Sequence, residues 1–166
     1  KGKRFLNLFA YSGSATVHAA VGGAASSVTV DMSNTYLDWA RRNFVLNGIG
    51  CDHKLVRANC LQWLAGQASA KPKPQFDLIF LDPPTFSNSK KMDEVFDIQK
   101  DHVQLISNAA TLLAPGGNLY FSTNFRRFKM DQEALSDLII EDISRKMIPE
   151  DFARDARIHY CWRIYH

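Results

Sequence analysis

Apolar positions fall along this chain in two alternating rhythms. RFLNLFA (Arg4 to Ala10), SVTVDM (Ser27 to Met32), HKLVRAN (His53 to Asn59), FDLIFLD (Phe76 to Asp82) and NLYFSTN (Asn118 to Asn124) are short apolar runs of strand character. Segments with helical spacing lie between them. TVHAAVGG (Thr16 to Gly23) stops on glycines, and Ser33 caps a stretch with Tyr36, Leu37, Ala40, Phe44 and Val45 as its apolar positions. CLQWLAGQ (Cys60 to Gln67) reads as a short helix, and the prolines of Ala68 to Gln75 mark a loop. A long helix is predicted from Glu94 to Ala114, ended by Pro115-Gly116-Gly117, and another from about Asp131 to Asp142. The closing ARIHYCWRIYH has strand character.

Regular β-α alternation predicts an α/β fold, a parallel sheet with helices on both faces. Such sheets bind ligands beyond the carboxyl ends of their strands, at the switch in strand order. That rule sets Asp31, Asn59 and Asp82 on one rim, joined by the loop AYSGSA (Ala10 to Ala15).

Composition changes this picture little. With 46% apolar and 22% charged residues the chain is an ordinary globular one, and no apolar run approaches the ~20 residues a membrane span needs. No membrane partner is expected. Residues 1–166 read as one catalytic domain, and the opening KGKRFLNLF, without a starting Met, suggests a piece of a longer chain with further domains. A net charge of +3 is too weak to imply an anionic partner. Three cysteines without CxxC spacing fit neither a disulfide framework nor a zinc site, so no metal and a reducing cytoplasm are expected. The five histidines are scattered and read as packing or surface residues.

The rim residues narrow the ligand. The first loop has a single glycine in its turn, Gly13, where a dinucleotide fingerprint would use several to approach a pyrophosphate. Ala10, Tyr11, Ser12 and Ser14 narrow the remaining space, which suits a ligand with ribose and adenine but no phosphate. Asp31 is placed to accept from ribose hydroxyls, Met32 to lie on the adenine face, and the Asn59 amide oxygen, beside Cys60, to accept from the adenine amine. S-adenosylmethionine has these parts. Methyl transfer from a sulfonium is an in-line displacement in which a protein mainly positions and excludes water. Asp82, stiffened by Pro83 and Pro84, suits that work, holding either the amino groups of a guanine edge or the ammonium of the cofactor, and Phe86 offers a flat face to a base taken out of its stack. Lys90, Lys91, Arg126, Arg127 and Lys129 lie in loops of the same rim, where RNA phosphates would arrive.

These segments resemble the class I S-adenosylmethionine-dependent methyltransferases, with their Rossmann-like, mostly parallel seven-stranded sheet and antiparallel C-terminal strand. NLFAYSGSATVHA, FDLIFLDPPTFSNSKKM, FDIQKDH and DFARDARIHYCW together resemble the C-terminal catalytic domain of the bifunctional large-subunit ribosomal RNA guanine methyltransferases, the RlmK/RlmL family. The resemblance runs from Arg4 to Trp162 and implies 7-methylguanosine as product and large-subunit ribosomal RNA as partner. Methylation of cytosine C5 needs a cysteine nucleophile just after the fourth or fifth strand, where this chain reads DPPT and FSTN. Methylation of guanine N2 or adenine N6, a protein glutamine acceptor, a nicotinamide dehydrogenase, a non-catalytic cofactor-binding module and, behind these, cytosine C5 stay open as alternatives.

Overall fold

The computed structural model describes residues 1–87, 95–152, 154–155 and 157–166. Five strands, β1 (Arg4–Leu8), β2 (Ser26–Asp31), β3 (His53–Arg57), β4 (Phe76–Leu81) and β7 (Leu113–Thr123), run parallel in the order β3-β2-β1-β4-β7. A short hairpin, β5 (Phe86–Ser87) with β6 (Phe96–Asp97), stands apart from the sheet. At the far edge β9 (Tyr160–Tyr165) pairs antiparallel with both β7 and β8 (Ile139–Asp142), completing seven strands. Fold class is therefore as the sequence implies.

The chain steps outward from β1 to β3 and then returns to lay β4 against the other side of β1. Right-handed crossovers run in opposite directions put their helices on opposite faces. Accordingly α1 (Ser14–Val21) packs with α2 (Asn34–Leu46), and α3 (Cys60–Ser69) with α4 (Ile98–Ala110). The switch in direction lies between β1 and β4, and it opens the cleft that holds the site. Leu6, Leu8, Ile79, Leu81 and Leu119 are fully buried between the helical layers, each worth roughly 1.5–3 kcal/mol of transfer from water. One polar relay crosses the core: the Asn7 amide donates to Thr16 Oγ1 at 3.0 Å, and Thr16 and Thr29 share a 2.7 Å bond. It ties β1, α1 and β2 together just below the first loop, and a buried polar group that finds its partner avoids a desolvation cost of about 1–3 kcal/mol.

Several elements differ from their sequence reading. The stripe that α2 buries is Leu37, Ala40 and Phe44; Tyr36 and Val45 are exposed because they sit a step of about 100° to either side of it. α4 spans Ile98–Ala110 rather than 94–114, capped by the Asp97 side chain on the Gln99 N–H. Pro115-Gly116-Gly117 is not its terminator but a bulge within β7, where pairing jumps from Phe76↔Leu113 to Leu78↔Asn118. Gly117 is required there, since a Cβ would stand 2.9 Å from the Ala114 carbonyl oxygen and 3.0 Å from that of Phe76. The helix predicted over 131–142 does not form: residues 132–137 are turns, and Ile139–Asp142 is β8. Its amphipathic spacing is genuine, with Leu135 buried, but pairing with Tyr165 and Ile164 at the sheet edge outweighs helix propensity.

Candidate active site

The first loop is built by backbone bonds onto its neighbours. The N–H of Phe9 donates to Cys60 Sγ (3.3 Å), that of Ala10 to the Val30 carbonyl (3.1 Å), and that of Tyr11 to Asp31 Oδ2 (2.9 Å). Phe9 and Tyr11 are held at φ 56° and 50°, the left-handed region that costs a non-glycine residue about 1–2 kcal/mol. Gly13 follows at φ 71°, and a Cβ on it would stand 2.8 Å from Ala40 Cβ. That glycine thus lets α2 close on the loop, while Asn43 anchors the Ser12 carbonyl (2.9 Å). Ala10, Ser12, Gly13 and Ser14 shape the loop without reaching the cavity, and Tyr11 alone of the five lines it.

A cavity of about 930 Å³ opens over the carboxyl ends of the strands. Its walls include Tyr11, Asp31, Met32, Asn59, Cys60, Asp82, Pro83 and Pro84, all singled out from sequence. Asp31 uses both oxygens on backbone, Oδ2 on Tyr11 and Oδ1 on the Ser33 N–H (2.8 Å). Each oxygen keeps a second lone pair for a ligand. Asn59 caps α3: its Oδ1 accepts from the Leu61 N–H at 2.9 Å, which leaves its NH2 group as the available donor. Cys60 also lines the cavity, but burial pushes its thiol up to about 12. It stays protonated, accepting from Phe9 and donating to the Val30 carbonyl.

The opposite wall grows from β4, β7 and β9. Leu81 pairs with both Leu8 and Phe121, so Asp82 emerges where β1, β4 and β7 end together. Ser122 donates to its Oδ1 at 2.6 Å. The side chain opens onto the cavity, yet the walls exclude enough bulk water to hold its carboxyl above the usual carboxylate range. The Ser122 bond and the neighbouring His159 oppose that rise. After the Pro83-Pro84 corner, the Thr85 carbonyl accepts from the Ile98 N–H, and its hydroxyl donates to Asn124 Oδ1 (3.2 Å). Phe86 is exposed on β5 and is not a wall residue, although its neighbour Ser87 is.

The basic loop after β7 is gripped from α4. Gln99 exchanges two 2.9 Å bonds with the backbone of Lys129, and His102 accepts the Asp131 N–H at 3.1 Å. Phe128 fills the space between Phe121 and Trp162. Arg127 and Lys129 are exposed, whereas Arg126 pairs with Asp155. Arg163 pairs with Glu141. Lys90 and Lys91 lie outside the described residues.

Sequence reasoning missed Phe9, Ser33, Tyr36, Leu61, Thr85, Ser87, Phe96, Asn124 and His159 as walls. Ser33 carried a usable signal, two residues after a strand-end acid at a helix cap. His159 carried none, because only the antiparallel return of β9 brings it to the rim.

Residues 1–154 match the model of a family described as S-adenosylmethionine-dependent methyltransferase. Curated relatives are named ribosomal RNA large subunit methyltransferase K/L. That of Allochromatium vinosum is 58% identical over 99% of this chain and 22% of its own length. That of Vibrio cholerae is 57% identical over 100% of this chain and 23% of its own length. The chain thus spans under a quarter of these relatives. A crystal structure of SMU.776, described as a methyltransferase complexed with S-adenosylhomocysteine, superposes with a TM-score of 0.81 at 25% identity. It covers 98% of this chain and 45% of that one. The motif resemblance drawn from sequence agrees with these relatives.

Proposed function

The chain belongs to the S-adenosylmethionine-dependent methyltransferase family, and from that premise we propose that it methylates N7 of a guanine in large-subunit ribosomal RNA. The carrying observation is the acceptor wall: one carboxylate fixed at the strand-end corner, with no ionised thiol beside it among the described residues. Cytosine C5 chemistry needs a thiolate, and the Cys60 thiol, although in the cavity wall, is held protonated. Cys161, on β9, is likewise pushed up to about 11 by burial. Guanine N7 carries an in-plane lone pair and needs no base to expose it. The ribosomal RNA acceptor is taken from the names of the relatives. The further domains of a longer parent chain would carry most of the RNA affinity, in the cytoplasm.

In this reading the β1–β3 side holds the methyl donor. Asp31 receives the ribose hydroxyls, Met32 and Leu61 flank the adenine, and the Asn59 NH2 donates to an adenine ring nitrogen rather than its oxygen accepting from the amine. S-adenosylmethionine supplies the electrophilic methyl: as the N7 lone pair forms the N–C bond, the C–S bond breaks with its electrons left on sulfur, and the positive charge passes to the base. Asp82 holds the N1–H and N2–H edge and offsets that charge. Phe86 stacks on the extruded base, and Arg126, Arg127 and Lys129 meet flanking phosphates.

The test is to incubate the chain and S-adenosylmethionine with large-subunit RNA from cells lacking the enzyme, then identify the methylated nucleosides by mass and chromatography. New 7-methylguanosine supports the proposal. N2-methylguanosine or N6-methyladenosine as the sole product overturns the choice of atom.

A further inference from the structure

DFARDARIHYCW is the motif that the methyl-transfer reading leaves without a task. Its fold suggests one. Asp155 pairs with Arg126, and the Tyr160 hydroxyl donates to the Arg126 carbonyl at 3.3 Å. Tyr160 also stacks on Trp162, with centroids 5.8 Å apart, and pairs in register with Thr123. These contacts lay Asp155 and Tyr160 along the end of β7 and deliver the residue before Tyr160, His159, into the cavity wall with Asp82, Thr85 and Asn124. No hydrogen bond ties the His159 ring among the described residues, although Ser122, Thr85 and Asn124 around it are all engaged.

We propose that His159 is an acceptor-binding residue that donates a hydrogen bond to O6 of the guanine whose N1–H and N2–H edge Asp82 receives. This rests on the guanine reading above. Side by side, a carboxylate and an imidazole N–H present two acceptors and a donor, since the ring keeps an N–H in either tautomer. Guanine alone of the four bases displays the complement, donor, donor, acceptor, along its pairing edge. Adenine, cytosine and uracil each offer only one donor along that edge. With O6 held by His159 and the pairing edge by Asp82, N7 on the neighbouring edge is left free to face the donor methyl. The pair therefore contributes both the choice of base and its orientation, and a positioning error of about 1 Å costs on the order of 100-fold in rate.

The test compares guanosine with 6-thioguanosine, whose sulfur is a poor acceptor, at the methylated position. It is run with the chain in excess over RNA and His159→Ala and His159→Asn as variants. The wild-type chain should methylate the thio-substituted RNA about 10-fold more slowly. His159→Ala should lose about 10- to 100-fold on the natural RNA and show no further sulfur effect. His159→Asn, which restores an N–H donor, should recover most of the rate and the sulfur effect. S-adenosylhomocysteine affinity and thermal midpoint should be unchanged in both. A sulfur effect that persists undiminished in His159→Ala, with 7-methylguanosine still the product, overturns the role of His159 alone. A product at another atom or base, or no product, overturns the guanine-N7 reading and this inference with it.

Discussion

The two sides of the cavity are assembled by different means. On the β1–β3 side the ties that shape the wall mostly engage backbone N–H groups: Phe9 on Cys60, Ala10 on Val30, Tyr11 and Ser33 on Asp31, Leu61 on Asn59. On the β4–β9 side the ties run largely between side chains, Ser122 to Asp82, Thr85 to Asn124 and Arg126 to Asp155. A wall pinned through its backbone has one shape, suited to a donor molecule that never changes. A wall pinned through side chains can be re-specified by substitution, which suits the acceptor side of the proposed site. Damage on the first side should therefore appear as lost cofactor affinity and stability, and damage on the second as lost transfer with the cofactor still bound.

The sharpest probe is Asp82→Asn. Methyl transfer should fall about 100- to 1,000-fold, as when one preorganised electrostatic group is removed, while calorimetric S-adenosylhomocysteine affinity stays within about 2-fold. Burial raises the folded-state pKa of Asp82, so the native state binds more protons than the unfolded one between the ordinary Asp value and the raised one. Stability therefore falls as pH rises through that window. The variant should melt no lower than wild type at neutral pH, and wild-type transfer should decline with acidification at a higher pH than an ordinary Asp would dictate. Equal loss of cofactor affinity and rate would break the division between the two walls.

Gly13→Ala is the matching lesion on the first side. Its Cβ meets Ala40 at 2.8 Å from a left-handed backbone, so thermal or urea unfolding should show a loss of about 2–4 kcal/mol. Cofactor binding should weaken with it. Cys60→Ala leaves the Phe9 N–H without its partner and should cost about 1–2 kcal/mol, again with weaker S-adenosylhomocysteine binding in calorimetry. The smallest effect is expected for Gln99→Ala, which releases the Lys129 backbone. Stability should drop by about 1 kcal/mol, with RNA binding in a filter or anisotropy assay reduced and cofactor affinity untouched.

Whatever depends on neighbours in the chain was legible in the sequence. Strand-length apolar runs in alternation with helical spacing predict β1 to β4, the body of β7 and a terminal strand. Together with the carboxyl-end rule they place Asp31, Asn59 and Asp82 on one rim, because parallel pairing with helical crossovers admits few topologies. Among the described residues no helix is long and apolar enough to cross a membrane. The resemblance added the antiparallel strand. Tertiary structure decided the rest. Residues 131–142 carry a helical pattern, yet the free edge of β9 draws Ile139–Asp142 into the sheet. Asn59 reads as a ligand residue in the sequence, and only the fold shows that its oxygen also caps the start of α3. Arg126 is one more cation of a basic loop in the sequence, and only the fold sets Asp155, 29 residues on, beside it while leaving it exposed. Among the described residues His159 has no hydrogen-bond partner in its own segment, and it becomes a wall of the cavity only when β9 pairs with β7. Local pattern carries period and propensity, which are properties of adjacent residues; the role of a polar side chain depends on who meets it, and that is known only once distant segments are in place.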